Sequence, residues 1–115
     1  MNHQADKSEP MRVIIDCDPG NGIAGANVDD GLALALAFAA PQISLEMITT
    51  VAGNTPSEIG YAVACDLVRR LGKSLPVWRG ASRALLEPPA PWRERLDHGV
   101  DRHGLHKLWD GVQAP

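Results

Sequence analysis

Asp16-Cys17-Asp18 sets two carboxylates two residues apart, and Asp29-Asp30 sets two more side by side. Four carboxylates brought together repel one another. Between Arg12 and Arg69 the chain has no Lys or Arg to neutralise them. The simplest group to hold such a cluster is a hard divalent cation with oxygen ligands, Ca²⁺ or Mg²⁺. Such a cation lowers the pKa of a bound water, and a carboxylate beside it can take the proton. A plainer reading stays open at this point. Asp29 and Asp30 can simply cap a helix, and Asp16 can bond neighbouring backbone amides. Asn54, which follows Thr50-Val51-Ala52-Gly53, is either a polar contact or a turn residue. The glycines at 20, 22 and 25 fit neither the GxGxxG dinucleotide turn nor a phosphate loop ending in GK[ST].

These residues need elements to position them. Arg12 to Asp16 is a short run rich in β-branched residues, which predicts a strand buried on both faces. Asp18-Pro19-Gly20 stops it, and a small-residue loop follows over Asn21 to Val28. Asp29 to Ala40 is dominated by Ala and Leu and predicts a helix, capped by Asn27 or Asp29 and closed by Pro41. It is apolar nearly all round, so a deep position is expected. A second strand is predicted over Ser44 to Val51. Thr55-Pro56-Ser57-Glu58 then reads as a capping box, with Thr55 as a cap worth about 1 kcal/mol. The helix runs to Leu71 with a stripe of Ile59, Val63, Leu67 and Leu71, and Gly72 is its natural stop. Leu75 to Trp78 predicts a third strand, ended by Gly80. Trp92 to Leu96 and His103 to Trp109 could form short helices.

The alternation of strands and helices implies parallel strands joined by helical crossovers. Ligands of such sheets bind beyond the carboxyl ends of the strands. Asp16, Asp18, Asn54 and Gly80 all fall at that edge. The fold class is therefore α/β, a Rossmann-like, mostly parallel sheet flanked by helices.

Composition narrows the class. The 115 residues suffice for one small domain. Apolar residues at 44% and charged residues at 22% are ordinary for a globular protein. The net charge of −3 offers no excess for binding nucleic acid. The longest apolar run, Leu32 to Ala40, is about half of the ~20 residues a membrane span needs. Cys17 and Cys65 make no CxxC pair, so a cytoplasmic, reduced protein is expected. The charge is uneven. Residues 1–65 hold two basic and eight acidic side chains, a balance of −6, and residues 66–115 hold nine and six, a balance of +3.

Ile14-Ile15-Asp16-Cys17-Asp18-Pro19-Gly20, followed by Asp29-Asp30, resembles the DxDPGxDD signature of nucleoside hydrolases of the inosine–uridine-preferring type. Ile48 to Asn54 is similar to that family's second signature, and Pro76 to Ala81 to its PVxxGA segment. The resemblance implies hydrolysis of the N-glycosidic bond of a nucleoside, giving free base and ribose, with Ca²⁺ as cofactor. By motif position Asp18 resembles the general base and a metal ligand, and Asp30 a second metal ligand. Asp29 and Asn54 resemble contacts to the ribose hydroxyls, and Asp16 a supporting residue. The partner implied is a nucleoside, with no nucleic acid and no membrane. A homo-oligomer of the full-length protein is compatible with it.

Two departures from the pattern stand out. The family has one residue between the Gly and the DD pair, whereas eight stand here, Asn21 to Val28. The extra loop is expected to bulge beside the ribose pocket, or else to displace Asp29 and Asp30. Family members are also much longer. Residues 1–10 read as a disordered tail, and 11–115 as the N-terminal part of a nucleoside hydrolase-like domain, truncated before the remaining ligands. Such a piece is expected to have an unpaired sheet edge and uncovered apolar helix faces. Two other readings stay open. One is a non-catalytic remnant or metal- or sugar-binding module. The other is a DxD phosphatase, which the lack of Lys or Arg near the acids disfavours. His98, His103 and His106 have a spacing that zinc could also use.

Overall fold

The computed structural model describes residues 9–21, 27–86 and 102–104. The tail over residues 1–8, most of the loop after Asn21 and the short helices expected over 92–96 and 103–109 lie wholly or largely outside the described residues. Five elements follow in the order β1 (Met11–Cys17), α1 (Asp29–Ala39), β2 (Ile43–Thr50), α2 (Ser57–Arg70) and β3 (Val77–Arg79). The strands form one parallel sheet in the order β1-β2-β3. This is the expected α/β architecture. The β1–β2 register shifts between Val13 and Ile14, where Glu46 is the extra residue. Asp16 then lies opposite Thr49, and Cys17 opposite Thr50.

Both helices pack on the same face. Cys17, Leu34, Ile48, Ala64 and Val68 form the core, with Ile15, Phe38, Leu45, Leu67, Leu75 and Val77 around it. The other face has no covering layer among the described residues. Ile14 there is 57% exposed and Trp78 62%. The expectation that β1 is buried on both faces therefore fails, because burial on the second face needs a layer that these elements do not supply. α1 differs in the same way. It buries Gly31, Leu34 and Ala37 but leaves Leu32 and Leu36 about two-thirds exposed (67% and 68%). Uncovered apolar faces were expected, and these are the residues that form them.

Three local expectations change. Neither Asn27 nor Asp29 caps α1; Val28 holds the cap position and gives no side-chain bond. Thr55 does not cap α2 either. Its hydroxyl donates to the Pro19 carbonyl at 3.4 Å, and the helix begins after Pro56. The buried face of α2 runs through Gly60, Ala64 and Val68, with Val63 alone of the expected stripe fully buried. Small residues win here because α2 lies close to the loops. A Cβ on Gly60 would stand 3.0 Å from the Thr55 hydroxyl and 3.7 Å from Pro19. The stop at Gly72 forms as expected. Its φ is +63°, the Gly72 amide donates to the Arg69 carbonyl, and the Lys73 amide to that of Val68, both at 3.0 Å. These two bonds close a Schellman turn. β3 begins two residues later than expected and ends at Arg79. Among the described residues no helix is long and apolar enough to cross a membrane.

Candidate functional site

β1 and β2 run parallel, so the loops that leave their carboxyl ends emerge side by side. Three bonds stitch those loops together. The Val51 amide donates to the Cys17 carbonyl at 3.1 Å. The Asn54 amide donates to Asp18 Oδ2 at 2.6 Å. The Thr55 hydroxyl reaches Pro19, which is itself buried. A fourth bond brings in α1: the Asp18 amide donates to Asp30 Oδ2 at 2.9 Å. Asp18 thus sits at the centre, accepting through its carboxylate and donating through its backbone. Gly53 makes room for it. A Cβ at that position would lie 1.8 Å from Asp18 Oδ2 and 2.6 Å from its Cγ.

The sequence-predicted residues divide into two groups. Asp18, Asp30 and Asn54 are joined, and all three are half-buried. Asn54 takes part through its backbone. Asp30 reaches Asp18 despite the eight-residue spacer, so the loop has not displaced it. Asp29 is exposed at the head of α1 and acts on Asp30 through its charge. Asp16 faces the helix-free side of the sheet, where it accepts a 2.6 Å bond from the Thr49 hydroxyl. His103 is exposed, and its proposed companions His98 and His106 lie outside the described residues.

The electrostatics follow from this placement. Burial pushes the Asp30 carboxyl above its usual range, and its side-chain hydrogen bond with Asp18 raises it further. The bond from the Asp18 amide pulls the other way. Cys17 lies beneath the cluster and is pushed up to about 12, first by burial and then by the charges of Asp30, Asp16 and Asp18. Its thiol stays protonated and is no nucleophile. The ion pairs among the described residues, Arg12–Glu46, Asp66 with Arg69 and Arg70, and Arg79–Glu58, leave Asp18 and Asp30 without a cationic partner.

Two half-buried carboxyls that share a hydrogen bond and lack a counter-ion fit a hard, oxygen-seeking divalent cation. Alone they would supply only part of such an ion's coordination shell. Among the described residues no group of three or more His, Cys, Asp or Glu side chains could hold a metal ion. A cavity of about 370 Å³ runs along α2 beside Tyr61, Cys65, Lys73 and Leu75. It lies towards the opposite end of the sheet and holds no carboxylate.

Sequence reasoning missed three contributors to this arrangement: the Asn54 amide, the Thr49 hydroxyl and the Thr55–Pro19 link. Only Gly53 carried a signal, since a glycine before a polar residue at a strand end marks a close approach.

Comparison with known proteins bears on the same segments. The family model for inosine-uridine preferring nucleoside hydrolase matches residues 13–113. The non-specific ribonucleoside hydrolase RihC of Salmonella paratyphi A is 38% identical over 78 residues, covering 68% of this chain and 23% of the relative. The proteins of the same name from Salmonella dublin and Salmonella typhi match to the same extent. The chain spans under a quarter of the length of these curated relatives.

Proposed function

This chain belongs to the inosine-uridine preferring nucleoside hydrolase family, and from that premise we propose that it carries the water-activating, ribose-facing part of a site that hydrolyses the N-glycosidic bond of ribonucleosides. One observation supports this above the others: Asp18 is bonded at once to the Asn54 amide and to Asp30, which come from three separate segments.

Each residue has a task in this reading. The Asn54 amide holds one oxygen of Asp18, and the other oxygen takes the proton of the attacking water. Asp18 and Asp30 would hold a Ca²⁺ ion, which when bound makes that water more acidic. Asp29 stands exposed at the head of α1, where it can accept hydrogen bonds from ribose hydroxyls. The Asn54 side chain, which its backbone bond leaves uncommitted, makes a further ribose contact. Asp16 supports the strand end through Thr49. Bond cleavage gives the ribose oxocarbenium character, and the negative charge that the acidic cluster keeps beyond that of one divalent ion stabilises the developing positive charge. The free thiols of Cys17 and Cys65 fit a reducing, cytoplasmic setting.

The test is release of reducing sugar from a broad nucleoside panel with Ca²⁺ present, using the chain and a longer protein that contains it. The longer protein is expected to release ribose, and Asp18→Asn to remove most of the activity. Absence of ribose from both proteins would overturn the proposal. A second reading is a non-catalytic metal- or sugar-binding module, which the carboxyls of Asp18 and Asp30, joined through the Asp18 amide, would also suit. It expects cation binding with no turnover in either protein.

A further inference from the structure

Eight residues separate Gly20 from Asp29, yet Asp30 meets the Asp18 amide at 2.9 Å. Something must fix the head of α1 after so long an excursion. The residue at its cap position, Val28, supplies no side-chain bond. The first residue of the excursion is placed to do so. The Asn21 side chain lies against Gly31, the residue that follows the Asp29-Asp30 pair. A Cβ built on Gly31 would stand 1.9 Å from Asn21 Nδ2, 2.7 Å from its Cγ and 2.8 Å from its Oδ1. Gly31 is buried, and the Asn21 Oδ1 is buried with no hydrogen-bond partner. Burying an unpaired carbonyl oxygen is unfavourable, so the contact has to be held by the packing around it.

We propose that Asn21 is a positioning residue of this chain. Its amide fills the space that the missing Cβ of Gly31 leaves under the first turn of α1. That wedge returns the chain from the extra loop in the register that delivers Asp30 to Asp18. The inference deepens the reading of Asp18 and Asp30 as site residues, but it concerns their placement and needs no turnover. Asn21 touches Gly31 rather than a reacting group, so its effect passes through Asp30.

The test is hydrogen exchange of the Asp18 amide, read by NMR on the full 115-residue chain. Asn21→Ala is expected to lower Asp18 protection by about tenfold, the scale of one lost hydrogen bond. The amides of Val51, bonded to Cys17, and Ile48, bonded to Pro76, should keep theirs. Gly31→Ala should act alike, because its methyl group evicts Asn21. The double variant Asn21→Gly/Gly31→Ala puts that methyl where the amide was and should restore most of the Asp18 protection. Unchanged protection in the single variants would overturn the proposal. So would a loss shared equally by Val51 and Ile48, which marks general destabilisation, or a double variant no better than the singles. None of these outcomes depends on hydrolysis, so a protein without nucleosidase activity would leave the inference standing.

Discussion

Gly53→Ala tests whether the Asp18 seat is as tight as its geometry says. The new Cβ would lie 1.8 Å from Asp18 Oδ2, while ordinary contact begins near 3.4 Å. One partner must therefore retreat by about 1.6 Å. The loop is poorly placed to yield. The Gly53 amide donates to the Thr55 carbonyl, the Ala52 amide to that of Ala81 and the Val51 amide to that of Cys17, each at 3.1 Å. The carboxylate should move instead and lose its 2.6 Å bond from the Asn54 amide. A hydrogen bond to a charged group contributes roughly 1.5–3 kcal/mol. At about 4–8 °C per kcal/mol for a domain of this size, a loss of ~2 kcal/mol lowers Tm by roughly 8–16 °C. The proposed base would also be out of place by more than 1 Å, enough to slow hydrolysis about 100-fold in a protein that turns over. Thermal and urea denaturation followed by circular dichroism measure the first effect. The chemical shift of the Asn54 amide reports the bond itself. If Gly53→Ala kept the parent urea midpoint and left that amide resonance in place, the close seat would be wrong.

Two further predictions concern titratable groups away from direct catalysis. The Arg70 hydrogen bond, aided by Arg69, holds Asp66 below the usual carboxylate range, against the upward push of burial. Its unfolded form binds more protons than its folded form in acid, so stability rises with pH there. The contribution is complete above the unfolded value of about 4 and fades as pH falls through the lower folded value. Asp66→Asn should flatten the acid limb of a plot of urea midpoint against pH; an unaltered slope would show that the pair contributes nothing. Cys17, with its thiol pushed up to about 12, should resist alkylation by iodoacetamide at pH 8 in the native chain and react once unfolded in urea. Mass spectrometry of the labelled peptide decides it, and rapid native labelling of Cys17 would contradict the burial that raises its pKa.

The elements were legible because their signals are local. The β-branched run before Asp16 gives a strand, the Ala and Leu run after Asp30 gives a helix, and Gly72 stops α2 in the left-handed conformation that its position demands. The parallel order follows from alternation alone. What stayed hidden depends on partners distant in sequence. Thr55 looks like a helix cap because the next three residues complete a capping box. Its hydroxyl instead bonds Pro19, 36 residues away. Ile14, Leu32 and Leu36 look like core residues because they are apolar, but burial is a property of the layer opposite, and the described elements supply a layer on one face only. For the site, the sequence pointed to the edge where Asp18, Asp30 and Asn54 meet, but it placed Asp16 and Asp29 in the same cluster, whereas Asp16 bonds Thr49 on the other face and Asp29 is exposed. Nor did the sequence show that a backbone amide rather than the Asn54 side chain would anchor Asp18.

The buried and half-buried acids are satisfied in two different ways. Asp66 has a side chain only 2% exposed and is held by two guanidinium groups, Arg69 and Arg70. Its charge is cancelled where it stands, and the pair lies in the last turns of α2, far from the strand ends. Asp18 and Asp30 are held by the amides of Asn54 and Asp18, which orient a carboxylate without neutralising it. The fold therefore fixes these oxygens while leaving their charge uncancelled, at a cost visible in the raised Asp30 carboxyl. Amide donors hold such an acid firmly but leave it the charge that an arginine would cancel. An acid that must receive a cation or a proton gains from it directly: the amides supply direction, and the attraction is reserved for what binds.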